Sequence, residues 1–184
     1  MASTIAIVGI IIVFAVFFRS LIYFCDMLWS LIRTRWVPYV PSFDKDLALI
    51  QDSLWLQAWK TLLDLWCGDG KALRYLVKHY KLISWTGYEI SRHARLLGRF
   101  LNRKKWVKNI TLLHQSFYDA DVQQYDYIYC YLMPFVMKNI ESRLQKNISK
   151  DTMIIVNSFK FPNWKPFKVI KGGNGKDKIF LYRK

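Results

Sequence analysis

No stretch constrains this chain more than Leu62-Leu63-Asp64-Leu65-Trp66-Cys67-Gly68-Asp69-Gly70. An apolar run, an abrupt Gly-x-Gly and a helical pattern opening at Lys71 read as a buried strand, a tight turn and a helix. That succession places backbone N–H groups and a helix start at the carboxyl end of a strand, where open α/β sheets bind ligands. The expected ligand is nucleotide-like.

The rest of the chain repeats the alternation. Ile83-Ser84-Trp85-Thr86-Gly87-Tyr88-Glu89 reads as a second strand ending in an acid, about 20 residues beyond the glycine turn. An acid at the tip of the neighbouring parallel strand is where a ribose diol can be held by two hydrogen bonds. Further strands are expected at 110–114, 125–131 and 152–158, with helices over 71–80 and 91–105 and from Pro134 onward. Phe161-Pro162-Asn163-Trp164-Lys165-Pro166 breaks the pattern, and strands at 167–171 and 178–183 flank Gly172-Gly173-Asn174-Gly175 as a hairpin. Strands alternating with helices predict a mainly parallel sheet with right-handed crossovers.

Upstream, Pro38 and Pro41 forbid regular helix and set an extended connector. Ser42 is expected to cap a helix over 44–57, with Asp44 and Asp46 in its first turn. Before the connector, Ala2 to Phe18 carry no charge, Arg19 interrupts, and 20–32 resume with Asp26 alone charged. A bilayer span needs roughly 20 apolar residues and tolerates a snorkelling Arg near its end. The reading is a membrane helix within 1–35 and a globular domain over 36–184. Basic Arg19, Arg33 and Arg35 follow the apolar run and none precedes it. A cleaved signal peptide is therefore disfavoured, and a single-pass membrane protein with its domain on the cytoplasmic side is favoured.

With 28 Lys and Arg against 13 Asp and Glu, the chain carries a formal charge of +15 and should be drawn to something anionic. Residues 71–108 hold 11 of the basic residues and one acid, Glu89. The three cysteines, Cys25, Cys67 and Cys130, are widely spaced in apolar surroundings, which supports neither a disulfide framework nor a metal site. A reducing compartment follows.

Two ligand classes compete for the turn. A dinucleotide fingerprint places Gly or Ala three residues after the second glycine, and Leu73 stands there. S-adenosyl-L-methionine has no phosphate; it asks for close glycine approach along its amino-acid portion and an acid for its ribose, and both are present.

Leu-Asp-Leu-x-Cys-Gly-Asp-Gly resembles motif I of the class I S-adenosylmethionine-dependent methyltransferases, and the match extends through Glu89 and the closing hairpin. That resemblance implies a Rossmann-like fold with a mainly parallel seven-stranded sheet and a C-terminal antiparallel hairpin, here with an N-terminal transmembrane helix. More narrowly, the membrane helix, Tyr39-Val40-Pro41-Ser42, the Asp64 to Gly70 motif, Gly87-Tyr88-Glu89, Pro134 and the Phe161 to Pro166 segment resemble the mitochondrial lysine methyltransferases that modify the c-ring protein of ATP synthase and the adenine nucleotide translocase, with their prokaryotic relatives. The resemblance implies that Asp64, Gly68 and Gly70 line the methionine part, with Trp66 and Cys67 between them, and that Glu89 holds the ribose. The position that usually bears an acid for the adenine falls at Ser116, beside Phe117. Trp66 departs from the usual first glycine of the motif, and Ser116 from the usual acid.

Methyl transfer from a sulfonium is an in-line displacement that asks mainly for proximity, orientation and exclusion of water. A lysine acceptor, with a free pKa of ~10.4, must first lose its proton. Tyr39, Ser42, Tyr131 and Trp164 are the candidate walls of the acceptor channel; no catalytic side chain is singled out. His79, His93 and His114 read as surface or structural residues. The expected function is protein-lysine methylation at a membrane, with a protein substrate, an anionic lipid surface and no metal. Phospholipid or RNA methylation and a non-catalytic membrane adaptor are the alternatives. Nucleic acid is disfavoured by the apolar anchor and by Leu132-Met133-Pro134-Phe135, which stands where an RNA-modifying relative would carry an Asn-Pro-Pro-Tyr-like tetrapeptide.

Overall fold

The structure is a computed structural model that describes residues 2–33 and 40–184. The chain divides into two compact units, Met1–Trp36 and Val37–Lys184. The first is a single uninterrupted helix, α1 (Ala2–Arg33), with its apolar side chains exposed. By length and composition Thr4–Arg33 suffices to cross a membrane.

The second unit alternates as expected. Its elements are α2 (Asp44–Ser53), β1 (Thr61–Asp64), α3 (Lys71–Leu76), β2 (Ser84–Tyr88), α4 (Arg92–Lys104), β3 (Ile110–Leu113), β4 (Tyr127–Cys130), α5 (Pro134–Asn147), β5 (Met153–Asn157), β6 (Lys168–Lys171) and β7 (Asp177–Tyr182). The sheet order is β3-β2-β1-β4-β5-β7-β6, parallel through β5, with β7 antiparallel to both β5 and β6. This is the mainly parallel seven-stranded Rossmann-like sheet, with antiparallel C-terminal strands, that the resemblance implies. Its order reverses at β1, so the carboxyl end of β1, between β2 and β4, is the crevice the topology leaves for a ligand.

Period-two alternation sorts the core onto two faces. Leu63, Ile128, Cys130, Ile154 and Val156 meet Val136, Ile140 and Leu144 of α5 on one side. Leu62, Trp85, Tyr129 and Ile155 meet Leu47 and Ile50 of α2 and Leu73 and Leu76 of α3 on the other. Register sets Asp64 opposite Gly87 of β2 and Tyr129 of β4, at the reversal point.

Several local expectations are corrected. The helix expected over 44–57 ends at Ser53, and its N-cap is Phe43 with no side-chain hydrogen bond. Ser42 does not cap that helix; its hydroxyl shares a 2.9 Å hydrogen bond with the buried Tyr129 hydroxyl. The helix expected over 71–80 stops at Leu76, and Arg74 is buried and paired with Asp69 at 2.9 Å. The connector around Trp36 and Pro38, with Tyr39, lies outside the described residues.

Candidate active site

The turn after β1 is built by its own sequence. Cys67 N–H donates to the Tyr88 carbonyl at 3.0 Å, and Gly70 N–H to the Cys67 carbonyl at 2.7 Å. Gly68 and Gly70 take φ of 54° and 78°, left-handed conformations that a side chain resists. Asp69 is spent on the turn: Oδ1 accepts from Lys71 N–H at 2.9 Å, while its carbonyl and Oδ2 accept from Arg74. The Lys71 amide at the start of α3 is thus satisfied within the chain.

Beneath the turn lie two carboxyls. Asp64 is 2% exposed, and its Oδ1 accepts from Trp66 N–H at 3.1 Å. Burial pushes its pKa up to about 8, against the pull of that amide and with help from the Glu89 charge. Glu89, immediately beyond β2, is also 2% exposed. Its Oε1 accepts from Ser91 N–H at 2.7 Å, whereas its Oε2 is buried with no hydrogen-bond partner among the described residues. Burial pushes Glu89 up to about 7, although the Ser91 and Gly68 amides and the Trp66 side chain favour its charged form. Glu89 therefore does two things at once: one oxygen holds the start of α4, and the carboxyl lies close enough to the glycine turn for the Gly68 amide to favour its charge. Burial likewise raises the Cys67 thiol, which packs against Gly87.

A small cavity of about 10 Å³ is lined by Asp64, Trp66, Cys67, Ser42 and Tyr131, together with Val40, Pro41, Lys71 and Ala72. A roomier one, about 510 Å³, lies at the opposite, amino-terminal edge of the strands, around Lys60, Asp126 and Met153, away from every residue singled out above. Trp66 stacks on Phe117, with ring centroids 5.4 Å apart and planes at 28°. The Ser116 hydroxyl accepts from Tyr118 N–H at 3.2 Å and so caps its own turn. Of the candidate channel residues, Ser42 and Tyr131 reach the cavity. Trp164 does not; it packs between Phe161 and Tyr182, and its backbone N–H donates to Glu141.

Lys71, Ala72 and the polar group behind Ser42 escaped the sequence reading. In that group Tyr129 Oη takes Ser42 at 2.9 Å and Asn157 at 3.2 Å, and Asn157 reaches Asp46, which pairs with Lys178 at 3.0 Å. The inward alternation of β4 carried a signal for Tyr129, which shares a sheet face with Leu62. Nothing local foretold its partners, which come from residues far apart in sequence. Among the described residues no group of three or more His, Cys, Asp or Glu side chains gathers to hold a metal.

The sequence profile described as the ANTKMT methyltransferase domain matches residues 64–168, from the buried Asp64 to the start of β6. The chain belongs to the ANTKMT methyltransferase-domain family. Its S-adenosylmethionine-dependent chemistry is that of a methyltransferase. A protein-lysine N-methyltransferase of Saccharolobus islandicus (strain REY15A) is 24% identical over 150 residues, 79% of this chain and 92% of that protein. The Homo sapiens lysine N-methyltransferase of the ATP synthase c-ring protein is 26% identical over 158 residues, 82% of this chain but 63% of the human protein. Among solved structures, an RNA methyltransferase from Salinibacter ruber in complex with S-adenosyl-L-homocysteine superposes with a TM-score of 0.71 at 18% identity, over 78% of this chain and 93% of that one. That last likeness is one of fold. This ANTKMT-family chain carries a tryptophan, Trp66, in the glycine turn and a serine, Ser116, after β3.

Proposed function

We propose that this chain is a protein-lysine N-methyltransferase anchored by α1 in a single pass, with the domain spanning 36–184 on the cytoplasmic side and a membrane or membrane-associated protein as substrate. The observation that carries the reading is the unpartnered, buried Glu89 Oε2, on a carboxyl close to the Gly68 amide of the left-handed turn and to the buried Asp64. A buried carboxylate oxygen without a donor is costly, on the order of 1–3 kcal/mol, and a ribose hydroxyl supplies the donor. The residues present fit S-adenosylmethionine chemically: glycines for close backbone approach, Glu89 for the ribose, Asp64 for the cationic methionine end and Phe117 for a flat base. The Salinibacter neighbour, which holds S-adenosyl-L-homocysteine in the same fold, is in keeping with this.

When bound, S-adenosylmethionine supplies a methyl group on a positive sulfonium. The chain's part is to hold the reactants in line and to keep water out. Ser42 and Tyr131, at the cavity beside Asp64, are the wall residues for an acceptor lysine arriving there as the free amine. The lysine substrate is supported by the curated relatives, both named as lysine N-methyltransferases. The membrane setting is supported by α1 and by the outer face of α4. There Leu96, Leu97 and Phe100 are exposed beside Arg92, Arg99 and Arg103, the composition of a helix that lies on an anionic lipid surface.

Mass spectrometry of methyl-lysine in membrane proteins, from cells expressing the wild type or Glu89→Ala, tests the reading. Methylated sites present with the wild type and absent with the variant are expected. Label in lipid or RNA, with none in protein, would overturn the lysine assignment.

A further inference from the structure

The candidate cofactor site contains a feature that its donors alone do not explain. Glu89 Oε2 and Trp66 Nε1 are both buried, and neither has a hydrogen-bond partner among the described residues. The two groups are complementary, one an acceptor and the other a donor. The indole lies close enough to favour the Glu89 charge, yet no hydrogen bond closes between them. A tryptophan serving as core filler would be expected to find its N–H a partner, because leaving a buried bond unmade is costly. Here two such costs sit side by side.

The indole ring also occupies a defined place. It stacks on Phe117 at 5.4 Å, and it lines the cavity shared with Asp64 and Cys67, which it helps to reduce to about 10 Å³, room for about one water. Phe117 is the flat surface after β3, and Glu89 is the acid after β2. A nucleoside bridging the two would stack its base on Phe117 and donate from its sugar to Glu89. The Trp66 ring already stacks on the first and stands beside the second. It is partly buried and packs against the edge of the core rather than within it.

We propose that the Trp66 indole is a built-in occupant of the adenosine compartment, standing in for a base on Phe117 beside Glu89, and that an adenosyl ligand binds by displacing it. The proposal rests on the reading of Glu89 and Phe117 as adenosine contacts. Trp66 then acts as a positioning residue that sets how much cofactor is needed to open the site, and it separates this chain from a relative with glycine at that place. Apparent affinity falls by the fraction of time the compartment is free, so a ring in place about 90% of the time weakens binding about 10-fold.

The test is a titration of the full chain, in detergent solution, with S-adenosyl-L-homocysteine, followed by calorimetry and by tryptophan emission. Trp66→Gly should bind about 10-fold or more tightly than the wild type, and Trp66→Ala should do likewise with less added chain freedom. Circular dichroism and melting check that each variant folds. Wild-type emission should shift to the red on saturation as one indole moves into water, and the shift should vanish in Trp66→Phe, which isolates position 66 among the 8 tryptophans. Folded Trp66→Gly and Trp66→Ala that bind no more tightly than the wild type would overturn the proposal, as would saturation without a shift dependent on position 66. Folded variants and wild type that all fail to bind would instead overturn the cofactor reading, and the proposal with it.

Discussion

Gly87 shows how closely single atoms are fitted around the turn. A Cβ there would stand 2.5 Å from Cys67 Sγ and 2.9 Å from Leu73 Cδ1, so Gly87→Ala must push the turn away from β2. A loss of about 1–3 kcal/mol is expected, read as a lowered denaturation midpoint, with weaker cofactor binding alongside. The two buried carboxyls make a second prediction. Asp64 and Glu89 keep their protons to about pH 8 and 7 in the ligand-free chain, well above unfolded carboxyls, so the folded state binds more protons than the unfolded one between about pH 4 and those values. Stability should therefore fall as pH rises from 5 to 8, by as much as about 1.4 kcal/mol per pH unit for each titrating group, and Asp64→Asn should flatten the slope of melting temperature against pH. A cationic ligand favours the ionised forms, so its binding near pH 7 should release protons, visible as a calorimetric heat that depends on the buffer. At this scale the strand ends at Asp64 and beside Glu89 and the turn at Gly68 and Gly70 were legible, because strand ends and left-handed turns leave strong local marks. The pairing of Arg74 with Asp69 was not, because a basic residue on a short helix looks the same in sequence whether it faces water or a buried acid.

Elements were read more easily than their ends. Apolar runs and glycine breaks marked all seven strands and their alternation with helices, whereas α2 and α3 end early where tertiary partners, rather than periodicity, decide. The contact of α4 with the glycine turn lay beyond the reach of sequence. Gly98 lets that helix lie on the Asp69 backbone, where an added Cβ would collide with the Asp69 carbonyl and come within 2.5 Å of Leu112 Cδ1. Gly98→Ala should therefore cost about 1–3 kcal/mol and weaken cofactor binding from a position outside the cavity, measurable in one calorimetric series. On the outer face of the same helix, replacing Leu96, Leu97 and Phe100 with Ser should leave the fold intact. It should also reduce contact of the domain with vesicles containing anionic lipid, read as faster proteolysis of α4 on those vesicles.

For the whole molecule, the proposed setting is a positively charged enzyme held at a membrane, and the excess of basic residues and the apolar α1 support it. Alkaline carbonate should leave the full chain in the pellet of expressing cells and release a chain lacking residues 1–33; release of both would contradict the anchor. The most direct measurement concerns the residue on which every other assignment leans. Calorimetric titration of S-adenosyl-L-homocysteine into the wild type and Glu89→Gln should show saturable binding that the variant weakens about 10- to 100-fold, since one charged acceptor of the sugar is lost. Equal affinities in two folded proteins would contradict Glu89 as the ribose ligand and, with it, the placement of the cofactor.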